Sequence, residues 1–106
     1  MNPEQRYEAL AKAFLGNSNV SQEGKGFGSE ALKTRGKIFA MLSQGTLVVK
    51  LPKARVDALV DAGEGHRFDP RHDGRVMKEW LALAVESQQD WLPLAEEALT
   101  FVASKR

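Results

Sequence analysis

The chain predicts an α+β domain: an antiparallel sheet of about five strands with helices packed on one face, in the order α-β-β-β-α-β-β-α. Three observations carry this. Residues 37 to 63, KIFAMLSQGTLVVKLPKARVDALVDAG, spell strand, turn, strand and helix in one run. Before it, Tyr7, Leu10, Ala11 and Phe14 recur at helical spacing, one apolar stripe that must lie on something else. After it, residues Arg75 to Val85 alternate, with Met77, Leu81, Leu83 and Val85 on one side and Val76, Lys78, Trp80, Ala82 and Ala84 on the other.

The elements follow in order. Asn2-Pro3 opens the first helix, with Gln5 placed to complete a capping box and Gly16 as the stop. The stretch Asn17 to Gly28 reads as loop with a short strand near Val20. Strands are expected at about 30–34, 37–42 and 46–51, joined at Arg35-Gly36 and at Ser43-Gln44-Gly45-Thr46, where glycine supplies backbone angles other residues resist. Leu51-Pro52 ends the third of these and starts a helix with a Val56, Leu59, Val60 stripe and Gly63 at its end. Arg67-Phe68 reads as a brief strand. Asp90 is placed to cap a last helix that tolerates Pro93 in its first turn and buries Trp91, Leu94, Ala95, Ala98, Leu99 and Val102.

At 106 residues the chain has the length of one domain, 1–106. It contains no cysteine, so disulfides, thiolate metal sites and thiol catalysis are excluded. Trp80 to Val85 is its longest apolar run, far below the roughly 20 residues of a membrane span, and no apolar signal segment follows the N-terminus. A soluble, unexported, cytoplasmic protein is expected. Net charge is only +1, yet residues 25 to 55 hold seven basic side chains against one acidic, and residues 56 to 106 hold six against ten. Between Lys33 and Arg55 no acidic residue interrupts the basic ones.

Lys33, Arg35, Lys37, Lys50, Lys53 and Arg55 come from two hairpins and the helix that follows, and the free amides opening that helix lie next to Pro52-Lys53. Such a set is the candidate phosphate contact, weak and salt-dependent. Opposing this, net charge is near zero and no aromatics interleave with the cations. Solvated lysines at a sheet edge, which block edge-to-edge aggregation, are the plain structural account of the same residues.

The remaining motifs are weaker. Gly26-Phe27-Gly28-Ser29-Glu30-Ala31 fits a relaxed dinucleotide fingerprint, but a strand meander follows it instead of a helix, and no Gly-Lys-Ser/Thr is present. His66 and His72, with Asp69 and Asp73, lack a metal-ligand spacing, so no metal and no cofactor are expected. Within Met77-Lys78-Glu79-Trp80 a carboxylate falls on an apolar face, where it needs a partner or a place at the sheet's edge. Phe27, Arg75, Lys78 and Trp80 form a second candidate, a shallow pocket for an anionic or aromatic ligand. The serines have no His/Asp partner nearby, and Asp57/Asp61 and Glu96/Glu97 read as exposed helix faces, so no catalysis is expected.

Gly26-Phe27-Gly28-Ser29 with Ala31-Leu32-Lys33, then Lys37 to Leu42, Leu47 to Pro52, Arg55-Val56 and Met77-Lys78-Glu79-Trp80 occur in an order that resembles the MmcQ/YjbR-like proteins, small bacterial α+β domains related to the N-terminal domain of TfoX-type competence regulators. The similarity covers about residues 20–103. It implies a sheet with helices on one side and, by structural analogy within that family, DNA binding; it brings no catalytic residues. The expected function is a non-catalytic nucleic-acid-binding module, with a protein- or small-ligand-binding module as the alternative. Sequence alone leaves ligand identity and oligomeric state open.

Overall fold

A computed structural model describes residues 2–14, 16–22, 31–43, 45–68, 77–84, 87 and 89–104. Its elements are α1 (Pro3–Ala13), β1 (Ser21–Gln22), β2 (Leu32–Thr34), β3 (Lys37–Ser43), β4 (Thr46–Lys50), α2 (Lys53–Asp61), β5 (Gly65–Phe68), β6 (Met77–Leu83) and α3 (Trp91–Ser104). The strands form one antiparallel sheet in the order β1-β2-β3-β4-β6-β5. This is the expected α+β architecture, with the two-residue β1 added at an edge and β6 inserted between β4 and β5.

Local signals act as expected at most element ends. Asn2 Oδ1 accepts from the Gln5 amide at 2.7 Å while Gln5 Oε1 accepts from the Asn2 amide at 3.2 Å, closing the capping box on two otherwise orphaned donors. The β2–β3 turn places Arg35 at φ 53° and Gly36 at φ 78°, the paired left-handed angles that suit the twist of a two-residue hairpin. At Gly65 the requirement is space: a Cβ there would collide with the Ala82 carbonyl oxygen and lie 3.1 Å from Leu83 Cα.

Strand alternation then assigns two faces. Leu47, Val49 and Leu51 point toward the helices together with Leu81 and Leu83, and all five are buried in one cluster with Tyr7, Leu10, Val56, Leu59, Leu94 and Ala98. Each leucine or valine among them contributes roughly 1.5–3 kcal/mol on burial. Lys50, Trp80, Val48 and Ala82 point the other way, since Lys50 pairs with Trp80 and Val48 with Ala82. Two irregularities adjust the pattern: between β5 and β6 Arg67 pairs with Leu81 but Phe68 with Met77, and the other falls between β2 and β3. Leu32 pairs with Ala40 and Lys33 with Ile38, so Phe39 is the extra residue of a β-bulge. That bulge keeps Phe39 on the helix side, where its ring meets Phe14 edge-on at a centroid distance of 5.6 Å, and leaves Ile38 beside Lys33 on the opposite face.

Candidate nucleic-acid interface

The six cations proposed from sequence do not share one surface. Lys33 and Lys50 project from β2 and β4 onto the face opposite α1, α2 and α3, which is helix-free among the described residues, and Arg35 sits exposed at the tip of the β2–β3 hairpin. Lys37, opposite buried Thr34, takes the helix side, and Lys53 and Arg55 lie in α2 within the helix layer. Sequence separation alone hid this division, because Leu51, buried among the helix-side residues, and Pro52 carry the chain from the sheet into α2.

Pairing sharpens the division. Lys53 Nζ lies 2.8 Å from Asp57 Oδ2, and Arg55 meets Glu97 at two points, Nε to Oε1 at 3.0 Å and Nη2 to Oε2 at 3.3 Å. Among the described residues no carboxylate pairs with Lys33, Arg35, Lys37, Lys50 or Lys78. The amides that open α2 therefore stand beside cations whose charge is already matched. Hydrogen bonds from Lys53 and then Arg67 hold the Asp57 carboxyl below its usual range, and through Arg67 Nη2, 2.5 Å from Asp57 Oδ1, α2 is tied to β5.

The helix-free face is uneven. Its middle is buried at Val48 and Ala82, whereas the end nearest the β2–β3 turn carries half-buried Lys33, Ile38, Lys50 and Trp80, with Lys78 exposed nearby on β6. Lys50 is the direct cross-strand partner of Trp80, and its ammonium lies 5.8 Å from the indole centroid. Sequence alternation without the β4–β6 register does not reveal that Lys50 covers the ring. Of the proposed pocket, Trp80 lies on this face and Lys78 is exposed two residues before it in β6, while Phe27 and Arg75 lie outside the described residues. Glu79 is half-buried on the helix side at the end of the sheet, where its carbonyl accepts from the Leu51 amide at 2.9 Å, and the residue has a further interaction besides this one.

Other polar groups serve the framework. Ser87 Oγ and Gln89 Nε2 donate to the two oxygens of Glu64, at 3.3 and 2.5 Å, and Thr46 Oγ1 donates to the Leu83 carbonyl at 2.5 Å. Arg6 lies over the buried Trp91 ring, 4.2 Å from its centroid. His66 is exposed on β5; His72, Asp69 and Asp73 lie outside the described residues, and among those described no three His, Cys, Asp or Glu side chains converge as metal ligands. Nor is any described helix long and apolar enough to cross a membrane. Comparison with protein-family models, with curated proteins and with solved structures finds no match.

Proposed function

We propose that this protein is a non-catalytic, cytoplasmic nucleic-acid-binding domain of YjbR-like architecture, and that the contact is made by the end of the helix-free sheet face carrying Lys33, Lys50 and Lys78, with Arg35 at its rim. The observation that supports this most is the division of the cations. Those in α2 are matched by Asp57 and Glu97, whereas those on the sheet have no carboxylate partner among the described residues, which leaves their charge for a partner of opposite sign. Phosphate is the partner whose contact is electrostatic, tolerant of sequence and reversible by salt.

Binding of a labelled oligonucleotide across a salt series tests this reading. Three or four displaced counterions predict a log affinity that falls against log salt with a slope of about −2 to −4. Absence of binding at low salt would remove the reading.

A second reading, a small-ligand or peptide module, has one feature in its favour: a groove of about 660 Å³ between the start of α2 and the outer side of α3, lined by Pro52, Arg55, Pro93, Glu97 and Phe101 among others. Its charges already neutralise each other through Arg55 and Glu97, so it offers apolar surface with little to orient a ligand.

A further inference from the structure

We infer that the nucleic acid taken by this face is single-stranded, with a base stacked on Trp80 and its phosphates held by Lys50 and its neighbours on β2 and β6; the inference rests on the nucleic-acid reading above.

Shape argues first. Duplex readout places an α-helix or a two-stranded ribbon in a major groove about 12 Å wide. The cations here are spread over β2, β4 and β6 with β3 between, so the outer strand axes stand three spacings apart, about 14 Å before side chains are added. That platform is too broad to enter the groove. The helices are no better placed, because cations on their outer sides are matched by carboxylates: Lys12 by Glu8 on α1, Lys53 by Asp57 on α2, and Arg55 by Glu97 on α3. Little charge is left there for a phosphate.

Chemistry argues second. A duplex turns its phosphates outward and offers an indole nothing, whereas a single strand presents the flat faces of its bases to aromatic side chains. Trp80 is half-buried, so it is anchored by the sheet yet keeps surface to offer, and Ile38 lies in the same band between Lys33 and Lys50. The Lys50 ammonium, at 5.8 Å, is near the outer limit of about 6 Å for attraction to an aromatic ring. It is weakly held, and transfer to a phosphate beside the stacked base costs little. The arrangement joins a stacking surface to a backbone contact on adjacent strands.

The test compares a fluorescently labelled oligothymidylate with a duplex of the same length at low salt, by anisotropy and by quenching of the intrinsic indole emission. The expected results are tighter binding of the single strand, quenching on binding, and a loss of roughly 5- to 100-fold for Trp80→Ala, with most of the affinity kept by Trp80→Phe. Circular dichroism of both variants separates lost contact from lost fold. Equal or tighter duplex binding, or unchanged affinity of a folded Trp80→Ala, would overturn the single-strand inference while leaving the nucleic-acid reading in place. Arg35→Ala weakening duplex binding while Trp80→Ala does nothing would point to the hairpin tip instead and overturn it equally. If neither form binds at low salt, both readings fall.

Discussion

Glu97 grips the Arg55 guanidinium at two points, 3.0 and 3.3 Å, and so joins the first turn of α2 to the middle of α3. Arg55 is thereby removed from the set of cations with charge to spare, although the sequence around it is among the most basic in the chain. Both side chains are substantially exposed, at 42% and 43%, so the pair adds little stability.

Glu97→Gln accordingly lowers stability by about 0.5 kcal/mol or less in chemical denaturation. Its larger effect is electrostatic. Relieved of its counter-charge, Arg55 becomes available, and if α2 lay in the nucleic-acid contact this variant would bind more tightly; on the present account affinity stays the same.

Asp57 contributes to the pH dependence of stability at acid pH. Its carboxyl is held down first by Lys53 and then by Arg67, so its folded-state pKa lies below its unfolded-state one. The stabilisation is therefore complete above the unfolded carboxylate value, about 4, and fades as pH falls through the lower folded value. Asp57→Asn should flatten the acid limb of a stability-against-pH curve and change little at neutral pH beyond a constant offset. An acid limb identical to the wild type's would show that Asp57 is not the group responsible.

Thr34 is 1% exposed and, among the described residues, its Oγ1 has no hydrogen-bond partner. A buried hydroxyl without a partner costs on the order of 1–3 kcal/mol, whereas valine has nearly the same shape and no polar atom. Thr34→Val is predicted to raise the urea midpoint with an unchanged m-value. A lowered midpoint would mean that the hydroxyl has a partner, such as a bound water.

Gly65 tests the β5–β6 register. Because a Cβ would strike the Ala82 carbonyl, Gly65→Ala must push β5 off β6 and should cost about 1–3 kcal/mol, as overpacking does. Faster amide exchange of residues 65–68, with β3 and β4 unaffected, is the local signature to look for.

Much of the framework was legible in the sequence, because single residues with strong local meaning sit at its joints. Asn2 and Gln5 mark one helix start, Arg35-Gly36 marks a hairpin, and the stripes of α1 and α3 turn inward as their spacing predicts. What escaped notice is what depends on register. The bulge at Phe39, the placing of Lys50 over Trp80, and the use of Asp57 and Glu97 as counter-charges all join residues whose partners lie on other elements. A linear run of cations carries no record of which face each will take. Leu51 and Pro52 after Lys50 are enough to send Lys53 and Arg55 to the opposite side of the sheet.

The most direct measurement compares two double variants that remove the same net charge, Lys33→Gln with Lys50→Gln and Lys53→Gln with Arg55→Gln, by the salt dependence of oligonucleotide binding. The sheet-face pair should reduce the slope of log affinity against log salt by about 2, one unit per lost phosphate contact, while the helix pair leaves it as in the wild type. Equal losses from both pairs, or a loss confined to the helix pair, would contradict the assignment of the contact to the helix-free face.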